Sequence, residues 1–293
     1  CEERKSRSVE ETDRLIKESA LIPFDLSKPP LLRVRVVNQE EGECETVLCM
    51  TMHHIVYDHG SDYVLVRDLD ALYHDRALEP LPLQYLDYAV HEEKMLTSGA
   101  LKSSLEFWKT RLADADSLVL QLPFDRPVTT KRTGAGSRVE WELPAELFAG
   151  LQAWKAETKC TTYMVMLACF QLLLHKVCQQ KDVVVGAVHE NRYRADLKDM
   201  VGYFMNTLAY RSTIDAKKSF ADFQKEVRDL CLGVMQHSAY PYDLLLREPN
   251  FTRQDGTPPL IQVAFTEVPF NPLLTMKWGE LEFEPVSRNT FAS

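Results

Sequence analysis

TVLCMTMHHIVYDHGSDYVLVRDL, residues 46–69, passes from an apolar run through a knot of polar side chains into an amphipathic segment. The first seven residues read as a β-strand. Leu65, Leu69, Leu72 and Tyr73 fall on one face of a helix, for which Ser61 is a suitable N-cap. HHIVYDHGS, residues 53–61, therefore sits at a strand–loop–helix junction.

His53, His54, Asp58 and His59 first suggest a metal, because imidazole and carboxylate are common ligands of zinc and iron. The spacing argues against it. Adjacent side chains at a strand end point to opposite faces, so His53 and His54 do not readily share one ion. His74, His91, His175, His189 and His237 each stand alone, with no second cluster to complete a ligand set. An acid/base site fits better: one histidine faces the core and the other a cleft, and the short loop returns Asp58 toward the imidazole or into an ion pair. An imidazole with a pKa of about 6.5 suits proton transfer at neutral pH. HxxxD is a weak pattern, and a hydrogen-bonded histidine pair in a polar turn also accounts for it.

Working outward, SVEETDRLIKESAL at 8–21 predicts a helix with Ser8 as N-cap and Glu11 at the capping-box position. LLRVRVV at 31–37 alternates apolar and basic residues and pairs with 46–52 as an antiparallel hairpin across the polar turn QEEGECE. A proline-rich stretch at 79–93 precedes a helix at 101–112. LQLPFDRPVTTKRTGAGSR, 120–138, has no periodicity and is the best internal boundary. Beyond it come a strand around 139–143, helices at 144–157 and 162–176, strands at 182–188 and around 202–211, a helix at 219–237, and a last strand in PLIQVAFTEVP. Alternation of this kind predicts an α/β fold.

The 293 residues carry 34 Lys+Arg against 43 Asp+Glu, with the basic residues scattered, so no nucleic-acid surface is expected. The longest apolar run, 162–175, is too short to span a bilayer, and no membrane role is expected. Seven cysteines, odd in number and mostly within apolar runs, read as reduced core residues of a cytoplasmic protein. The chain lacks an initiator Met and opens on a charged, helix-like stretch, which reads as part of a longer protein.

The segments FDLSKPPLLRVRV, MHHIVYDHGS, LPLQYLDYAV, LEFWKTRL, LQLPFDRP, DVVVGAVHENRYRADLKDMVGYFMNTLAYR, PYDLLLRE and PPLIQVAF occur in this order. Together they resemble the condensation domains of nonribosomal peptide synthetases, members of the chloramphenicol-acetyltransferase-like acyltransferases, from about residue 20 to 284. The resemblance implies a V-shaped pseudo-dimer of two lobes, truncated at both termini. Residues 1–125 would be the remainder of an N-terminal lobe carrying HHxxxD, and 126–293 most of a C-terminal lobe, with the active site in a tunnel between them.

The implied function is amide formation between donor and acceptor thioesters, each carried on the phosphopantetheine of a partner carrier protein, with no metal or bound cofactor. Partners would be upstream and downstream peptidyl carrier proteins and an adenylation domain in the same polypeptide. By the same resemblance His54 is the catalytic histidine facing the tunnel, as proton acceptor or positioner of the nucleophile, and His53 is structural. Asp58 is a scaffold carboxylate that pairs with Arg192. Asn206 lines the tunnel or orients substrate, unless its amide caps backbone instead. Gly60 and Ser61 flank the motif; His59 stands where the family has glycine, and there it would crowd the tunnel or alter the turn. Two other roles are compatible with the residues: a non-catalytic platform that binds a carrier or recruits an enzyme, and an ester- or amide-forming acyltransferase acting on a free acceptor.

Overall fold

The computed structural model describes residues 1–40, 46–114, 119–125, 136–248, 260–268, 277–278 and 281–283. The turn at 41–45, most of the boundary at 126–135 and Cys44 lie outside them.

The first half is built on a three-stranded sheet. β1 (Glu2–Ser6) runs parallel to β2 (Leu32–Gln39), and β2 pairs antiparallel with β3 (Thr46–Met52) in a register that places Leu32 opposite Met52. The opening residues are thus a strand, not the helix-like start their charge suggested. Charged side chains suit this edge because it is exposed, and Glu2 takes two hydrogen bonds from Arg35 on β2. Helix α1 (Val9–Leu21) covers the sheet through Ile16, which packs with Val37 and Val47. Ser8 caps α1 by accepting from the Glu11 N–H, but the Glu11 carboxylate reaches the Arg7 N–H rather than that of Ser8.

Helix α2 (His59–Tyr73) follows β3 after one 3₁₀ turn. Val64 is its buried apolar anchor, whereas Leu72 and Tyr73 are exposed. Residues 85–97, the later part of the proline-rich stretch and the residues just beyond it, form helix α3 (Tyr85–Thr97). The prolines all precede its N-cap, Gln84, so none interrupts it. Helix α4 (Lys102–Arg111) leans on the second half: the Trp108 indole N–H donates to the His237 carbonyl, and Phe107 stacks on the His237 ring at 4.2 Å.

The second half holds the larger core. Helices α5 (Ala145–Thr158) and α6 (Thr162–Cys178) meet at 108°, and strands β4 (Asp182–His189) and β5 (Asn206–Thr213) form an antiparallel pair. Helix α7 (Phe220–Gln236) and the one-turn α8 (Tyr242–Leu245) complete the described helices. Leu167, Ala168, Val183, Val184, Val185, Leu208, Val227 and Val234 form one buried cluster, which Trp108 and Leu112 of the α4 region join. The fully buried Gln171 ties α6 to β5, donating to the Tyr210 carbonyl and accepting from the Ser212 hydroxyl. No single helix among the described residues is long and apolar enough to cross a membrane.

Three expected strands differ. Residues 139–143 carry no strand pairing, and Val139 and Trp141 are exposed. The strand expected around 202–211 begins only at Asn206, because Gly202 and Phe204 are drawn into polar contacts with α2. Residues 260–268 add only an isolated parallel bridge, Gly186 to Ala264. Cys49, Cys160, Cys178 and Cys231 are free and at least partly buried, as expected of core thiols, while Cys1 and Cys169 are exposed.

Candidate active site

β3 ends at Met52, so the two histidines lie past the strand, and a 3₁₀ turn rather than the pleat separates them. His53 caps that turn: its Nδ1 accepts from the Ile55 N–H at 3.1 Å, and its ring meets Phe24 edge-on. His54 is exposed. Its Nδ1 lies 2.6 Å from the Tyr57 carbonyl oxygen, which can only accept, so Nδ1 carries the proton and Nε2 keeps its lone pair in the neutral ring. The His54 ring sits edge-on to Tyr203 from the second half, with centroids 5.5 Å apart.

Asp58, not Ser61, is the N-cap of α2. Ser61 is the reciprocal member of the capping box, three residues on. The aspartate is fully buried. Its Oδ1 accepts from the Ser61 N–H at 3.0 Å, the Ser61 hydroxyl at 2.9 Å and Arg192 Nη2 at 2.7 Å, and its Oδ2 accepts from the Phe204 N–H at 2.9 Å. Arg192, 7% exposed in its side chain, also donates to the carbonyls of Leu197 and Met200 and lies over the Phe204 ring. Ser61 Oγ in turn accepts from the Gly202 N–H at 3.1 Å. The result is a buried charge pair in which the Asp58 oxygens and both terminal amines of Arg192 are hydrogen-bonded and only Arg192 Nε lacks a partner, and it joins the start of α2 to the segment 192–204.

The glycine that this geometry requires is Gly60. A Cβ there would lie 2.5 Å from Arg192 Nε and 2.8 Å from Cδ. Because five hydrogen bonds hold the Arg192 guanidinium, it cannot simply swing aside. Gly60→Ala is therefore expected to destabilise the fold by about 1–3 kcal/mol, read as a lower urea midpoint.

His59 takes the first helical position, and its Nδ1 pairs with Asp62 Oδ2 at 3.0 Å. Asp62 Oδ1 accepts the Tyr57 hydroxyl. Burial, opposed by the charge of His54, pushes the Asp62 carboxyl from its ordinary 3.8 up to about 6. The folded chain holds a proton there that the unfolded chain releases. Stability from this group is therefore complete below about pH 4 and is lost as pH rises through about 6. Asp62→Asn removes that loss. Its stability relative to the native chain is expected to rise from about pH 5 to about pH 7.5 by about 1 kcal/mol after screening, checked by urea unfolding at both values.

Asn206 serves backbone: its Nδ2 donates to the carbonyls of Ser238 and Tyr240, and its Oδ1 accepts from the Tyr242 N–H. Tyr57, Asp62, Tyr203 and Gly202 were not singled out from sequence. The Asp58–Ser61 spacing did carry a capping-box signal. Among the described residues no group of three or more His, Cys, Asp or Glu side chains is arranged to hold a metal.

Comparison with known proteins follows the same lines. The condensation-domain profile matches residues 2–275. The phosphinothricin tripeptide synthetase PhsC of Streptomyces viridochromogenes is 38% identical over 258 residues, 86% of this chain and 24% of that protein. Surfactin synthase subunit 1 of Bacillus subtilis is 35% identical over 282 residues, 96% of this chain and 8% of that protein. The chain thus spans about a quarter or less of these relatives.

Among solved structures, the X-domain of teicoplanin biosynthesis in complex with OxyB superposes with a TM-score of 0.80 at 25% identity, covering 89% of this chain and 59% of that one. A four-domain nonribosomal peptide synthetase bound to AMP and glycine superposes at 0.78 and 22% identity, covering 90% of this chain and 20% of that one. The mixed α/β architecture is the one the chloramphenicol-acetyltransferase-like resemblance implied. With nearly its whole length matched by the family profile, the chain belongs to the condensation-domain family.

Proposed function

We propose that this chain catalyses amide formation between a donor acyl or peptidyl thioester and an acceptor aminoacyl thioester, each held on the phosphopantetheine of a carrier protein within a nonribosomal peptide synthetase. The observation that carries the reading is the His54 tautomer. With Nδ1–H committed to the Tyr57 carbonyl, Nε2 is the atom left to accept a hydrogen bond from an attacking amine. As the amine nitrogen bonds to the donor carbonyl carbon, Nε2 takes its proton. The carbon–sulfur bond then breaks, and the leaving thiolate regains a proton. His53 holds the turn, while Asp58 and Arg192 fix the start of α2 against the segment 192–204, keeping His54 beside Tyr203.

In this reading residues 1–125 and 126–293 are the two lobes, with α4 crossing to lean on the second. The working partners are upstream and downstream carrier proteins and a neighbouring adenylation domain, in the cytoplasm. The test loads both carriers of the parent synthetase and follows the acceptor carrier by mass spectrometry. Transfer of the donor group onto the acceptor amine supports the reading, and its absence with both carriers loaded and bound overturns it.

A second reading, a non-catalytic platform, draws support from the likeness to an X-domain that is held in complex with OxyB. Carrier or enzyme binding without turnover in the same assay would select it.

A further inference from the structure

The chemistry above uses the backbone carbonyl of Tyr57 and gives its side chain no role. The turn that carries His54 has little burial to define it, since His54, Ile55 and Val56 are all exposed. Backbone hydrogen bonds close it, from the Val56 N–H to the His53 carbonyl at 3.1 Å and from the Tyr57 N–H to the His54 carbonyl at 3.4 Å. Neither of them aims the Tyr57 carbonyl at the His54 ring.

The Tyr57 side chain is half-buried, and its hydroxyl donates to Asp62 Oδ1 in the first turn of α2. Asp62 Oδ2 is held in turn by His59 Nδ1 at 3.0 Å. The Tyr57 carbonyl oxygen lies 2.6 Å from His54 Nδ1. One residue is thus tied to α2 by its hydroxyl and to the imidazole by its backbone, and its ring lies 6.2 Å, centroid to centroid, from that of His54.

Two plainer readings compete. Asp62 and His59 are neighbours on a helix surface, an arrangement worth about 0.2–0.5 kcal/mol when the pair is charged. That accounts for their contact, but not for the bond that leaves the helix for Tyr57. The peptide that carries the Tyr57 carbonyl is also held from its other side, where the Asp58 N–H donates to Ser61 Oγ at 3.4 Å. That bond is long for an N–H donor, and removing the Tyr57 hydroxyl separates the two influences.

We propose that Asp62, braced by His59, is a positioning residue for His54: through the Tyr57 hydroxyl it fixes the Tyr57 carbonyl, which keeps the ring proton on Nδ1 and leaves Nε2 free. The proposal rests on the acyl-transfer reading only for its effect on rate, because the ring tautomer is observed without turnover. Two measurements test it on the full chain. One is ring ¹⁵N NMR of His54, assigned with His54→Ala, at about pH 8, above the usual range of imidazole titration. Asp62, whose carboxyl burial pushes up to about 6, is ionised there. The other is single-turnover transfer on loaded carriers at saturation.

The native chain is expected to show His54 in the Nδ1–H form. Tyr57→Phe, which keeps the carbonyl, and Asp62→Ala are each expected to give a mixture of both ring forms. Each should slow transfer by about tenfold or more, toward the roughly 10²-fold that a misplaced group costs, with carrier binding unchanged. Asp62→Asn is the rescue: its amide oxygen still accepts the Tyr57 hydroxyl and its Nδ2 can donate to His59, so the Nδ1–H form and a rate within about threefold of native are expected. His59→Ala, which frees only one carboxylate oxygen, should move both readouts the same way as Asp62→Ala but by less.

Retention of the Nδ1–H form in Tyr57→Phe overturns the proposal and shows that the Ser61 bond alone aims the carbonyl. So does an Asp62→Asn chain that behaves like Asp62→Ala, because charge and not the hydroxyl contact would then be what acts. His59→Ala at native values overturns the part given to His59. Ring forms that shift as expected in a chain that transfers nothing leave the positioning and remove the reaction. Transfer by a chain whose variants keep the native ring form removes the positioning and leaves the reaction.

Discussion

His54→Ala is expected to slow transfer from donor to acceptor carrier by about 10²–10⁴-fold, the usual contribution of a positioned acid/base group, with the thermal midpoint unchanged. The midpoint should hold because His54 is exposed and its one hydrogen bond is to the Tyr57 carbonyl three residues away. His54→Asn sharpens the test. An asparagine amide can still donate to the Tyr57 carbonyl, but it has no second nitrogen where Nε2 stood. Both variants should therefore be equally slow. The check is single-turnover transfer on loaded carriers, followed by mass spectrometry. An Asn variant near the native rate would show that the turn, and not the free nitrogen, is what the reaction needs.

The second large effect is on stability. Asp58→Ala leaves the Arg192 guanidinium buried beside no carboxylate, and Arg192→Ala leaves a fully buried carboxylate with only neutral donors. Each is expected to destabilise the chain by about 3–5 kcal/mol, because removing one partner strands the other's charge away from water. The double variant should lose clearly less than the sum, since no lone charge remains. Urea or guanidinium unfolding of the three variants measures the coupling. Additive losses would show that the two side chains act independently, against the geometry of a 2.7 Å pair. The same pair explains how a break here would reach the His54 site. It pins α2 to Gly202 and Phe204, the residues that flank Tyr203, and Tyr203 is what His54 faces.

His59 and Gly60 show where a local reading stops. A glycine displaced by one position looks like damage when it is judged against a motif. In the folded chain Gly60 is the residue that Arg192 presses on, and His59 turns toward Asp62 at the helix start. That relation spans more than 130 residues of sequence, so spacing within the motif cannot reveal it.

The sequence by itself determined the hairpin of β2 and β3, the three helices α5, α6 and α7, and the strand at 182–189, because apolar runs or alternation bounded by polar and turn-forming residues mark them locally. It also marked His53, His54 and Asp58 as a polar junction between a strand and a helix. Tertiary structure decided what periodicity does not encode. β1 is a strand because β2 offers it an edge, and residues 202–205 leave β5 because Ser61 and Asp58 take their amides. Asn206 is turned to backbone by the chain at 238–242. Local propensity acts over a few residues, whereas matching a buried charge or a buried carbonyl depends on groups that only the folded chain brings together.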